Sequence, residues 1–389
     1  MGYTAGKALR RGESPRDPLS EVLHKECKVT RDSSIWATIL AGGAGHRFWP
    51  LSTPERPKQL LPLASSRPLI VDTIERVRGL VAQERLLILA GEALVAPIRA
   101  VTGIGEEAFL VESRARGTGP VLARAAWEVA RRDPGAVMIS LHSDHLIDPV
   151  EGFREALRAA VRIAVREGLL LTVAVPPDRP ETGYGYIRPG APLRAPDGHR
   201  AYRADAFVEK PGSATAARYL RDGYRWNSGI FVWPARTFLA EVESCAPAIA
   251  RALPHLERGD CEAFFDQAPR TSVDEAVLER SGRVGCIDAT FRWDDVGSWE
   301  SFARNRPTDE HANVHEGEVH LAGAARNVAL ATAGRLALFG VDDLLVVQTG
   351  DVTLVMPRSE SPHLKRYLAE LPQHLLRPRS GRGTGADGG

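Results

Sequence analysis

The chain has few cysteines, no long apolar run and no excess of charge of either sign. Its four cysteines, Cys27, Cys245, Cys261 and Cys286, are spread widely over 389 residues. None forms a C-x-x-C pair, which excludes a zinc ribbon and a thioredoxin-type motif. Reduced thiols and a cytoplasmic location are therefore expected. No stretch approaches the ~20 apolar residues of a membrane-spanning helix. The N-terminus has charges but no apolar core of a secretory signal. Fifty Lys+Arg face 49 Asp+Glu, a formal net charge of +1. That balance argues against a nucleic-acid partner, and nothing points to a membrane. Small anionic ligands stay open, because a local basic cluster can sit in a neutral chain. The 43% hydrophobic and 25% charged shares are those of an ordinary globular protein, which excludes wholesale disorder. The length predicts two or three domains.

Residues 1–33 are polar and charged without periodicity, which reads as a mobile extension or a mis-assigned start. The apolar run Ile35–Leu40 then feeds Ala41-Gly42-Gly43-Ala44-Gly45, the pattern of a buried strand opening into a glycine loop. Further apolar runs lie at 86–90, 136–141 and 169–175. Between them, Val121, Leu122, Ala125, Ala126 and Val129 share one helical face, with Thr118 placed to cap it. Phe153, Ala156, Leu157, Ala160, Val161 and Ala164 share another. Strands alternating with helices predict an α/β domain with a largely parallel sheet. After about Pro307 the helical period stops. Short apolar stretches at 328–330, 336–339, 344–347 and 352–355 are separated by Gly or Asp. They predict a small β-rich domain of about 60 residues, closed by one helix near 363–371. The spacing is too irregular to be read as a solenoid. The expected division is an extension at 1–33, a catalytic domain at 34–306, a small domain at 307–372 and a disordered tail at 373–389.

Five segments carry chemistry. The first is Leu40-Ala-Gly-Gly-Ala-Gly-His-Arg-Phe-Trp-Pro-Leu-Ser52 followed by Pro57-Lys58-Gln59. Glycines after a strand let backbone N–H groups approach a phosphate, and Arg47 and Lys58 add cationic donors. A Walker A loop is excluded because Arg47-Phe48 replaces Lys-Ser/Thr. A dinucleotide fingerprint is excluded because Phe48 replaces its third glycine. The second is Ser140-Leu-His-Ser-Asp-His145, at the carboxyl end of a strand, where Asp144 is placed for a metal or a hydroxyl. His142 and His145 lack a third zinc ligand at a usual spacing, and a carboxylate suits Mg²⁺ better. Adjacent strand residues point apart, so Ser143 with its neighbours is no hydrolase triad. The third is Glu181-Thr-Gly-Tyr-Gly-Tyr-Ile187, which is either a hairpin turn or an aromatic wall for a sugar or base. The fourth is Phe207-Val-Glu-Lys-Pro211 with Trp226-Asn-Ser-Gly-Ile-Phe231. Glu209 could accept from sugar hydroxyls and Lys210 could meet a phosphate, against the reading of a solvated ion pair. Asn227 in an apolar setting implies a specific partner. The fifth is Arg292-Trp-Asp-Asp-Val-Gly-Ser-Trp299. Asp295 is a candidate second metal carboxylate, and alternation lets only one of Asp294 and Asp295 point into a site.

In this order, over residues 36–371, the five segments resemble the sugar-nucleotide pyrophosphorylases, most of all the bacterial mannose-1-phosphate guanylyltransferases. The resemblance implies a Rossmann-like nucleotidyltransferase domain with a mostly parallel sheet, plus a small C-terminal left-handed β-helix-like domain. It implies transfer of GMP from GTP to mannose 1-phosphate, with Mg²⁺ as cofactor. The sequence does not fix the oligomer, and a homodimer is among the assemblies it leaves open. Arg47, Lys58, Asp144 and Asp295 would be catalytic, the two aspartates holding the metal. Leu40, Ala41, Gly42, Gly43, Gly45, Gly117, Thr118 and Ser143, with Arg47, Lys58 and Asp144, would bind the nucleotide. Gly183, Tyr184, Gly185, Glu209, Lys210 and Asn227 would bind the sugar phosphate. Three positions depart from the family pattern: His46 replaces Thr, His142 replaces Pro, and Gly117 replaces an Asn of the guanine-recognition stretch 116–120. The last leaves the base choice open. Another sugar 1-phosphate such as a heptose or glucose, dTTP as donor, or a non-catalytic regulatory paralogue are the alternatives. No isomerase activity is expected, because the chain stops before the cupin-type domain of two-activity members.

Overall fold

The structure, a computed structural model, describes residues 34–43, 46–196 and 198–376. The expectations for 1–33 and 377–389, and the positions of Cys27 and Gly45, lie outside the described residues; Gln373–Leu376 form a last helical turn. Before residue 300 the described chain forms β1 (Ile35–Leu40), β2 (Leu86–Gly91), β3 (Phe109–Glu112), β4 (Val137–His142), β5 (Leu146–Asp148), β6 (Leu170–Val175), β7 (Tyr186–Leu193), β8 (Ala201–Val208), β9 (Arg225–Pro234), β10 (Val284–Asp288) and β11 (Arg292–Asp294). Nine of them make one sheet in the order β3-β2-β1-β4-β9-β6-β10-β8-β7, while β5 and β11 pair antiparallel beside it. In the large sheet only β8 and β9 oppose the other strands, so it is mostly parallel.

The continuous apolar runs become the central strands because both faces of the sheet are covered. Residues alternate between two cores. Leu87, Leu89 and Met138 pack with Val121, Leu122, Ala125 and Val129 of helix Thr118–Arg132. Leu86, Ile88, Val137 and Ile139 pack with Phe153, Ala156, Leu157 and Ala160 of helix Val150–Glu167 on the other face. The helix faces are those the periodicity predicts. The cap is not: Gly117 precedes the helix, and Thr118 Oγ1 instead accepts from the Val273 N–H at 2.9 Å.

The C-terminal part forms β12 (Val314–Glu316), β13 (Val319–Ala322), β14 (Val328–Ala331), β15 (Leu336–Phe339), β16 (Leu344–Gln348) and β17 (Thr353–Pro357). β12, β14 and β16 stack in parallel, as do β13 and β15, and antiparallel β17 closes the stack. This is a coil repeat, which the uneven spacing conceals in the sequence. Asn313 and Asn327, 14 residues apart, are fully buried and form a ladder. Asn327 N donates to Asn313 Oδ1 at 2.9 Å, and Leu344 N donates to Asn327 Oδ1 at 2.9 Å. Instead of the single closing helix, two short helical segments follow at Arg358–His363 and Leu364–Leu368. One further core joins the coils to the front of the sheet: Val314, Val328, Leu345 and Val347 pack with Phe48, Trp49, Leu61, Trp299 and Phe302.

Candidate active site

The strand order turns back between β1 and β4, the place where open α/β sheets form a crevice beyond the carboxyl ends of their strands. A cleft of about 520 Å³ opens there. Its first wall is the loop after β1. Gly42 and Gly43 line the cleft, Gly43 at φ +98°. The Gln59 amide donates to the Ala41 carbonyl at 2.8 Å and pins the loop. Leu40 and Ala41 are buried and do not line the cleft; Leu40 serves instead as backbone acceptor for the Ser143 N–H at 3.0 Å. Ser143 is likewise buried away from the cleft. Arg47, on the short turn His46–Phe48, is exposed and donates to the Gly297 carbonyl at 3.2 Å.

Lys58 lies at the cleft floor and is 8% exposed. Its Nζ bonds Asp144 Oδ2 and the Asp295 carbonyl, each at 2.7 Å. One ammonium thus ties together two loops far apart in sequence. Burial alone would raise the Asp144 pKa; the Lys58 ammonium beside it, with smaller contributions from the neighbouring His145 and His142, outweighs that and holds the carboxyl at about 2. Burial pushes both imidazoles below the usual histidine range, so they are neutral near pH 7. His145 Nδ1 accepts from the Trp293 indole at 3.1 Å. Asp295 faces the cleft, its Oδ1 accepting from the Tyr184 hydroxyl at 2.7 Å and from Gly297 N at 3.1 Å. Burial raises its pKa against the opposing pull of Lys58. Asp294 turns the other way and bonds Ser301 Oγ, Arg304 and the Val296 N–H.

These donors suit a divalent metal. Among the described residues no hydrogen bond reaches Asp144 Oδ1 or Asp295 Oδ2. A Cβ on Gly297 would lie 2.4 Å from Asp295 Oδ2, so glycine there leaves the carboxylate its place. His142, Asp144 and His145 also offer ligand atoms within 4.8 Å of one another. Asp144 itself completes the histidine pair for which sequence spacing shows no third ligand.

At the other end stand Gly183, Tyr184, Gly185, Glu209, Lys210 and Asn227. A Cβ on Gly185 would lie 2.7 Å from Glu209 Oε2. Glu209 and Lys210 do form an ion pair, at 2.5 Å, with Glu209 largely buried and Lys210 exposed. Tyr184 meets Trp226 and Trp293 edge-on at 5.3 and 5.2 Å. Asn227 Oδ1 accepts from Thr172 Oγ1 at 2.8 Å, and its Nδ2 donates to Asp274 Oδ1 at 2.9 Å. Asp274, absent from the sequence-predicted set, lines this wall at the start of a π-helical turn, Asp274–Leu278, an irregularity common at functional sites. Burial and the Glu209 charge push its pKa up to about 7.

Thr118 lines the cleft and Gly117 does not. Gly117 has φ +84°, and a Cβ there would lie 2.5 Å from the Thr271 carbonyl oxygen. The close approach is fixed by Thr271 N donating to the Arg116 carbonyl at 3.0 Å and Gly119 N to the Thr271 carbonyl at 3.1 Å. Glycine at 117 thus follows from chain packing.

The sequence matches the family profile described as Nucleotidyl transferase over residues 36–311. It is 34% identical over 359 residues to the mannose-1-phosphate guanylyltransferase ManC of Salmonella typhimurium, covering 88% of this chain and 74% of that protein. Identity to the xanthan biosynthesis protein XanB of Xanthomonas campestris is 33% over 352 residues, with coverage of 87% and 73%. A crystal structure described as a mannose-1-phosphate geranyltransferase from Thermus thermophilus superposes with a TM-score of 0.79 at 34% identity, covering 87% of this chain and 99% of that one.

Proposed function

The chain belongs to the nucleotidyl transferase family, on the branch of the mannose-1-phosphate guanylyltransferases, and we propose that it transfers GMP from GTP to mannose 1-phosphate, giving GDP-mannose and pyrophosphate. The observation that carries this reading is Lys58, bonded to Asp144 and the Asp295 main chain between a glycine loop and a Glu-Asn-aromatic wall. A phosphate oxygen of the sugar phosphate attacks the α-phosphorus in line. One P–O bond forms, the bond to the bridging oxygen breaks, and pyrophosphate leaves. The attacking oxygen is already anionic, so the chain need supply no base or nucleophile. Positioning and charge neutralisation do the catalysis.

In this reading Gly42, Gly43, Gly45 and Arg47 hold the triphosphate. Lys58 has a third N–H beyond the two bonds described, which is free for a phosphate oxygen. Thr118 faces the base, and Gly117, Leu40, Ala41 and Ser143 contribute as scaffold behind the cleft. Glu209, Asn227 and the turn Gly183, Tyr184, Gly185 hold the mannose, with Lys210 on its phosphate. The cofactor is Mg²⁺, held by Asp144 and Asp295, which are hard oxygen ligands; when bound it supplies positive charge at the α-phosphate.

The proposed organisation is a catalytic domain at 34–306 and a left-handed β-helical domain at 307–372, assembled as a homodimer in the cytoplasm. Among the described residues no helix is long and apolar enough to cross a membrane. A panel of four nucleoside triphosphates against mannose, glucose and heptose 1-phosphates, read by pyrophosphate release, tests the reading. Turnover is expected with GTP and mannose 1-phosphate. Turnover only with another pair, or with none, overturns it.

A further inference from the structure

The cleft is lined by four side-chain cations, Arg47, Lys58, Lys210 and Lys365. Two of them are already neutralised: Lys58 by Asp144 and Lys210 by Glu209. Arg47 bonds only a carbonyl among the described residues. Lys365 has no hydrogen-bond or ion-pair partner among them, and the nearby Glu360 is engaged by the Tyr367 hydroxyl. The two cations without a carboxylate partner sit at the same end of the cleft. Helix Leu364–Leu368, which carries Lys365, packs on the turn His46–Phe48, which carries Arg47. Leu364 and Leu368 are buried in the core that holds Phe48 and Trp49, so the helix is anchored there while Lys365 stays exposed. Lys365 also borders a smaller cleft with Trp49, Ser52 and Pro54. A triphosphate carries about four negative charges, and the glycine loop with Arg47 offers few fixed positive charges to its outer end.

We propose that Lys365, reaching in from the C-terminal end of the chain, is a phosphate-binding residue of the nucleotide site, holding the outer phosphates of the triphosphate and then the departing pyrophosphate. The inference rests on the guanylyltransferase reading for the identity of the nucleotide. It adds that the nucleotide site is completed by a segment beyond the sheet domain.

The test uses the full chain and the variants Lys365→Ala, Lys365→Arg and Lys365→Glu, with magnesium chloride present. Calorimetric titration with GTP, inorganic pyrophosphate and GMP is the first readout, and KM for each substrate is the second. Lys365→Ala is expected to weaken GTP and pyrophosphate on the order of tenfold, the loss of one charged hydrogen bond. Lys365→Glu weakens them further, and Lys365→Arg restores most of the loss. GMP affinity and the KM for mannose 1-phosphate stay unchanged, because neither ligand has the outer phosphates. Because Lys365 is exposed, unaltered thermal unfolding checks that the fold is intact. GTP and pyrophosphate affinities of Lys365→Ala within about twofold of the parent overturn the proposal, and so does an equal loss for GMP. A parent protein that binds GTP without making GDP-mannose would sink the guanylyltransferase reading, while the titrations would still decide the role of Lys365.

Discussion

At Lys58 one ammonium is bonded to both the Asp144 carboxylate and the Asp295 carbonyl, so its removal unpairs a carboxylate and frees a loop at once. Lys58→Ala is expected to lower turnover about 10²–10³-fold, the usual loss for one charge-stabilising donor, with a cooperative thermal transition retained. Near-normal pyrophosphate release from the variant would reject the role. Asp274 leads to a different prediction. Its pKa, normally 3.8, is raised to about 7 by burial and by Glu209. The folded state therefore holds a proton that the unfolded state releases from about pH 4 upward, and stability falls over that window. Asp274→Asn has no such proton to lose. Its melting temperature relative to the parent should rise from pH 4 to pH 7 and level off above; a pH-independent difference would contradict this. Lys58, Asp144 and Asp295 are legible in the sequence because each sits in a dense local motif. Asp274 is not: it lies beside Glu275 outside the glycine- and aromatic-rich segments, and its partner Asn227 lies 47 residues away.

Among the elements, legibility follows burial. β1, β2, β4 and β6 are covered on both faces and appear in the sequence as largely apolar runs, broken only by a buried Thr or Ser and by His142 at the end of β4. β7 and β8 expose one face, and β7 carries Pro189 and Pro192 at the sheet edge, where a missing N–H costs little. β9 begins Arg-Trp-Asn-Ser-Gly, a turn-like string. There its pairing with β6 shifts register between Thr172 and Ala174, and Gly229 sits at φ +70°. Such irregularities re-aim side chains, and here they place Asn227 at the cleft. The same logic explains Gly117, where a family-typical Asn looks like the natural residue. Gly117→Asn forces a Cβ toward the Thr271 carbonyl in a glycine-favouring conformation, a strain of about 1–3 kcal/mol. The variant should melt lower and show a raised KM for GTP, because Thr118 and the 271–274 segment shift together. A variant as stable as the parent, with tighter GTP binding, would show that the missing side chain, and not packing, governs this stretch.

For the whole molecule, a net charge of +1 hides a cleft in which four cations meet Asp144, Glu209, Asp274 and Asp295, so overall balance says little about ligands. The C-terminal coils bear on that cleft through packing. Leu345 is fully buried in the core that also holds Phe48, the last residue of the turn that carries Arg47, with Trp49 and Trp299. Leu338 is also buried, but among Ala324, Ala329 and Val346 within the coils alone. Truncating either leucine to alanine removes similar apolar volume and should cost about 2–5 kcal/mol. If the coils only add stability, both variants lose melting temperature and keep their kinetics below it. If they buttress the phosphate end of the cleft, only Leu345→Ala also raises the KM for GTP, because its cavity lets Phe48 and Trp49 relax and carry the glycine loop with them. The packing favours the second outcome. Michaelis constants measured well below both melting temperatures decide it, and equal KM values for GTP in the two variants would confine the coils to a purely stabilising part.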